Sequence, residues 1–160
     1  MENKNPLNDE NILSSEIREV INKLTCIDDN IVFGGSIALN AVGLIERKIN
    51  DIDIFLPIEY SLSKNHFLTS IDEFTLSDTV TDMNGIEIQR TGAKIGNIKI
   101  CVFKVDDNYL QHSLFTFLGG SIKIQNVNNA IMAKKFYKEK TNNKKHVDDL
   151  NSIQDFFKNI

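Results

Sequence analysis

Between Asn30 and Pro57 the chain fits a strand, a double-glycine break, a helix and a second strand into about 27 residues, and no other segment constrains the fold as tightly. Asn30 to Gly34 (N-I-V-F-G) reads as a short buried strand. Gly34-Gly35 breaks it, and Ser36 is a natural N-cap for a helix running through Ile37, Ala38, Leu39, Ala41, Val42 and Leu44. From Asn50 to Leu56 the sequence N-D-I-D-I-F-L alternates polar with apolar residues, the pattern of a strand, and Pro57 stops it.

The flanking segments extend this into an α/β fold. Leu13, Ile17, Val20, Ile21 and Leu24 recur at spacings of three and four, which places an amphipathic helix over about residues 12–24. Residues 59–74 read as helix. Ile86 to Thr91 and Asn97 to Val105 are β-branched runs around a turn bracketed by Gly92 and Gly96, an antiparallel hairpin. Leu114 to Leu118 and Ser121 to Gln125 form a second hairpin around Gly119-Gly120. Val127, Ile131 and Phe136 then mark a helix, and Val147, Leu150, Ile153 and Phe157 a last one. The expectation is a mixed β-sheet flanked by helices in a single domain over 1–160, with a core over about 12–125 and a C-terminal helical part over about 126–160.

Composition excludes several classes. At 41% hydrophobic and 25% charged residues, with two prolines, the chain is neither disordered nor collagen-like. No apolar stretch reaches the roughly 20 residues of a membrane span, and the first residues carry no basic-then-apolar signal. Cys26 and Cys101 lie far apart, which favours reduced thiols and a cytoplasmic setting. The net charge of −4 argues against a protein that coats extended nucleic acid, although residues 121–160 alone hold 8 basic and 4 acidic side chains. His66, His112 and His146 share no metal-ligand spacing.

Asp51 and Asp53 occupy alternate positions of a strand, so both carboxylates project from one face, as a divalent metal site requires. With 13 aspartates in 160 residues, about one Asp-x-Asp match is expected by chance, so the motif gains its weight from context. Ile52, Ile54, Phe55 and Leu56 make this a core strand, and two like charges beside a core are costly unless a cation neutralises them. About 15 residues earlier, Gly34-Gly35-Ser36 sits where strand gives way to helix, a place where glycines let a phosphate approach the backbone. A phosphate cradle beside a metal site suggests a nucleoside triphosphate with Mg²⁺.

The segment F-G-G-S-I-A-L-N-A-V-G-L-I-E-R-K-I-N-D-I-D-I-F-L, Phe33 to Leu56, resembles the nucleotidyltransferase superfamily that includes DNA polymerase β, CCA-adding enzymes and small antibiotic- or toxin-type members. The tail I-K-I-Q-N-V-N-N-A-I-M-A-K-K-F-Y, followed by K-H-V-D-D-L-N-S-I, looks like the downstream helices of the AbiEii-like and lincosamide-type members. The resemblance implies a minimal nucleotidyltransferase fold in which Asp51 and Asp53 hold Mg²⁺ or Mn²⁺ on the triphosphate. It implies that Gly34, Gly35 and Ser36 hold the outer phosphates, that Lys134 or Lys135 lies near the nucleotide, and that Arg47 steadies the active-site loop or the substrate. Read by itself, Arg47 is equally a solvated charge before a buried strand.

The reaction implied is transfer of a nucleoside monophosphate from an NTP to a hydroxyl on a small molecule, protein or RNA. The alternatives are a degenerate relative that binds nucleotide or a partner without catalysis, and a toxin–antitoxin or defence component that acts with a partner chain; a homo-oligomer is also open. The family pattern puts a third carboxylate on a later strand, and Cys101 stands at that position. If the hairpin turns symmetrically between Gly92 and Gly96, paired residues sum to 188 and Glu87 lies opposite Cys101, where it would replace the missing acid as a catalytic residue; Asp106 and Asp107 are the fallback.

Overall fold

The protein is described by a computed structural model over residues 6–28, 30–60, 71–82, 84–118, 120–141 and 143–158. A seven-stranded mixed sheet forms its frame. In chain order the elements are α1 (Ser15–Ile27), β1 (Val32–Gly34), α2 (Ser36–Ala41), β2 (Asp51–Pro57), β3 (Glu73–Thr81), β4 (Glu87–Ile95), β5 (Ile98–Val105), β6 (His112–Phe117), β7 (Gly120–Gln125), α3 (Val127–Thr141) and α4 (Lys144–Lys158). The strand order is β3-β4-β5-β2-β1-β7-β6, with β1 antiparallel to β2 and β2 parallel to β5. Among the described residues no helix is long and apolar enough to cross a membrane.

Helix α1 begins later than the apolar spacing alone predicts, because the Ser14 hydroxyl accepts the Ile17 N–H at 3.3 Å and caps the helix there. Its Ile17, Val20, Ile21 and Leu24 share one core with Ile52, Ile54 and Leu56 of β2 and Ile100 and Val102 of β5. Strand alternation therefore sends the even-numbered residues of β2 into this core and leaves Asp51 and Asp53 on the other face.

Ser36 is not an N-cap. Gly35 holds that position at φ +59°, and Ser36 is the first helical residue. The helix is also shorter than expected: it ends at Ala41 because Gly43, at φ +80°, closes a Schellman turn, with its N–H on Asn40 and the Leu44 N–H on Leu39.

Two further expectations are corrected. The helix expected over 59–74 falls largely on residues 61–70, which lie outside the described residues, while Glu73 and Phe74 begin β3, an edge strand that the sequence reading did not include. The β4–β5 hairpin turns at Gly96-Asn97, with Gly96 at φ +59°, and pairs Ile95 with Ile98. Paired residues thus sum to 193 rather than 188, and Gly92, not Glu87, lies opposite Cys101.

Gly34 is where the sheet is tightest. A Cβ there would stand 2.1 Å from the Phe55 ring and 2.6 Å from Gln125 Oε1. Gly34→Ala is expected to cost about 1–3 kcal/mol through overpacking, measured as a lowered urea midpoint at unchanged m-value.

Candidate functional site

The site grows out of the β1–β2 pairing. Gly34 lies opposite Asp53, so the glycine turn and the second carboxylate meet at one place. A Cβ on Gly35 would stand 2.3 Å from Asp53 Oδ2, which means that the carboxylate packs directly against the backbone of the turn. The Gly35 N–H donates to Gln125 Oε1 at 3.3 Å. Asp51 is exposed and Asp53 half-buried, both on the face away from the α1 core. Burial pushes the Asp53 carboxyl up to about 6; the charge of Asp51 adds to the rise, while Lys134, Lys145 and Arg90 oppose it. Lys145 Nζ lies 3.9 Å from Asp51 Oδ2, a loose surface pair.

Behind this pair stands a buried ion network centred on Asp149 of α4. Its carboxylate accepts from Arg47 Nε at 2.7 Å and Arg47 Nη2 at 2.9 Å, and lies 2.8 Å from Lys134 Nζ. Arg47 Nη2 also donates to Ser36 Oγ at 2.6 Å. The fork geometry of the guanidinium suits this two-point contact. Lys134 is nine-tenths buried, and burial lowers its pKa against the opposing pull of Asp149. Its Nζ is also 3.4 Å from Nδ1 of His146, whose ring stacks on Tyr137. Burial and the Lys134 charge lower the His146 pKa, which keeps the imidazole neutral at pH 7. Asp149 is held below the ordinary carboxylate range, since the Arg47 and Lys134 hydrogen bonds outweigh its burial.

The structure thus brings together Asp51, Asp53, Gly34, Gly35, Ser36, Arg47 and Lys134. Arg47 is tied into the network rather than solvated. Lys135 is exposed and lines a groove between α3 and α4 with Leu150 and Phe157, away from this cluster. Asp149 and His146 escaped the sequence reading. Their signal was the segment K-H-V-D-D-L, in which Asp149 falls on the apolar stripe of Leu150 and Ile153 and so demands a buried cationic partner.

Glu87 does not join the site. Its neighbour Ile88 lines the cavity beside Asp53, so alternation sends Glu87 to the opposite face, where it is exposed beside Ser77, Gln89 and Lys104. Asp106 and Asp107 follow Val105, which pairs with Pro57 at the far end of β2 from Asp51. Asp106 accepts the Asn108 N–H and caps a short 3-10 turn. Cys101 does occupy the third position, paired with Asp53, and burial with the nearby Asp53 charge pushes its thiol up to about 11. It is neutral at pH 7.

Among the described residues no three His, Cys, Asp or Glu side chains cluster as a metal cage. Two same-face carboxylates, one of them half-buried and raised, nevertheless fit a hard cation that brings further oxygen ligands of its own, as Mg²⁺ does when it arrives on phosphate.

No family model matches the chain, and no curated protein matches it. Among solved structures it is similar to a candidate nucleotidyltransferase of Thermotoga maritima, with a TM-score of 0.57 at 15% identity over 93% of this chain and 97% of that one. The Helicobacter pylori protein JHP933 matches at a TM-score of 0.36 and 17% identity, over 75% of this chain and 56% of its own. The first likeness shows a nucleotidyltransferase-like fold: a mixed sheet with helices that include the two C-terminal ones.

Two outcomes follow from the electrostatics. A carboxyl whose folded pKa is raised from 3.8 to about 6 removes stability as pH rises between those values, by at most about 3 kcal/mol above pH 6. Asp53→Asn in metal-free buffer should therefore raise the melting temperature at pH 8 and leave it unchanged at pH 4. Asp149→Ala leaves Lys134 buried without its carboxylate and should cost about 3–5 kcal/mol by urea titration. Lys134→Met should cost less, because Asp149 keeps Arg47.

Proposed function

We propose that the chain binds a nucleoside triphosphate with Mg²⁺ or Mn²⁺ and transfers a nucleoside monophosphate to a hydroxyl on a small molecule, a protein or an RNA. The observation that carries this reading is the meeting of the Asp53 carboxylate, the Gly34-Gly35 turn and the Lys134 network at one end of the β1–β2 pair. Asp51 and Asp53 would hold the metal ion, which when bound neutralises phosphate oxygens and favours attack at phosphorus. Asp53 is mostly ionised at pH 7, as a ligand must be.

The side chains of this chain supply position and charge. The glycine turn lets phosphate oxygens come close to the backbone. Lys134 offers its ammonium to the triphosphate, and Asp149 with His146 Nδ1 holds that ammonium in place. Arg47 is a positioning residue that ties the start of α2 to α4 through Ser36 and Asp149. A cytoplasmic setting goes with two free thiols.

A second reading, nucleotide binding without transfer, is favoured by one observation: a neutral thiol at Cys101 opposite Asp53, where a third carboxylate would complete the metal site and take the proton of the attacking hydroxyl. A partner chain that supplies the acceptor fits either reading.

The test is a thermal-shift series with each of four NTPs and Mg²⁺, followed by incubation with α-phosphate-labelled NTP. At a ligand concentration of about 100 times Kd the stabilisation is roughly 2.7 kcal/mol, or about 5–10 °C. That rise should vanish in Asp53→Asn. Label on an acceptor supports transfer, stabilisation without label assigns the second reading, and no stabilisation by any NTP excludes both.

A further inference from the structure

A cavity of about 100 Å³ opens between α3 and the sheet face that carries Asp53. Gly35, Asp53 and Lys134 form part of its wall, so it is continuous with the site. The rest is mostly aromatic. Phe55 and Phe103 stack with centroids 5.4 Å apart on the sheet side, and Phe136 and Tyr137 face them from α3. Three polar groups interrupt this lining. Asp82, 6% exposed, accepts the Asn84 and Ile86 N–H groups at 2.8 Å each and the Tyr109 hydroxyl at 2.6 Å. With its donor used on Asp82, the Tyr109 oxygen offers only lone pairs. Gln125, 4% exposed, spends its Oε1 on the Gly35 N–H, and its amide nitrogen has no partner among the described residues.

We propose that this cavity is the base pocket of the nucleotide site and takes a pyrimidine ring, an inference that rests on the nucleotide-binding reading above. Flat aromatic walls stack on a base whatever its sequence identity. The acceptors Asp82 and Tyr109 and the spare Gln125 amide donor ask for a ring edge that carries both a donor and an acceptor, as a nucleobase does and a hydrocarbon does not. Size selects among the bases. A cavity of roughly 150 Å³ accommodates benzene, so one of about 100 Å³ takes a single six-membered ring and leaves no room for a fused purine.

The experiment is calorimetric titration of the full chain with CTP, UTP, ATP, GTP and inorganic tripolyphosphate, each with Mg²⁺. CTP or UTP should bind about tenfold or more tighter than tripolyphosphate and than either purine. Ala133→Phe, which fills the cavity from α3, should bring the pyrimidine nucleotides down to the tripolyphosphate level and leave tripolyphosphate itself at its wild-type affinity. Should that variant not fold, Tyr109→Phe serves in its place and should lower CTP or UTP affinity about threefold or more without touching tripolyphosphate. Purines that bind as tightly as pyrimidines overturn the proposal, as do variants that bind all five compounds like wild type. Tripolyphosphate binding with no gain from any base removes the base pocket alone. Failure of every compound, tripolyphosphate included, removes the nucleotide-binding reading with it.

Discussion

Asp149 takes one carboxylate into the interior and answers it with two cations from distant parts of the chain. Arg47 reaches it from the connection between α2 and β2, and Lys134 from α3. Because Arg47 also grips Ser36 at the start of α2, the network ties both C-terminal helices to the segment that carries the glycine turn. Desolvating three charges is expensive, and such a cluster earns little net stability over an apolar one. What it provides is position: the Lys134 ammonium is held beside a half-buried Asp53 rather than left to sample solvent.

Around that anchor the sheet sets the remaining geometry by register. The antiparallel β1–β2 pair puts Gly34 opposite Asp53, and the parallel β2–β5 pair puts Cys101 on its other side. One face of β2 is spent on the α1 core, so its other face is left with Asp51, Asp53 and Phe55 for chemistry and for the aromatic cavity. Gly34 and Gly35 are required by closeness on this face, where the Phe55 ring and the Asp53 carboxylate fill the space a side chain would need.

What was legible in the sequence was local. The alternation around Asp51 and Asp53, the double glycine, the second hairpin and the C-terminal helices depend on neighbours a few residues apart, and all appear in the structure. The register of the β4–β5 hairpin depends on which glycine turns. Gly92, Gly96 and Asn97 offered more than one answer, and an error of five positions, an odd number, carried Glu87 to the wrong face. Strand β3 escaped because it is an edge exposed along nearly its whole length, with no buried stripe to betray its period. Lys134 and Lys135 could not be separated because adjacent helical residues point to different sides, and only the placement of α4 decides which side holds Asp149.

The central claim is that Asp53 is a partly buried carboxylate, short of compensating charge and poised for a cation. Its titration by carboxyl-carbon NMR in metal-free buffer tests this most directly. The account predicts a midpoint near 6 that rises further in Lys134→Met, where the opposing cation is gone. A midpoint near 4, unchanged by the loss of Lys134, would contradict it.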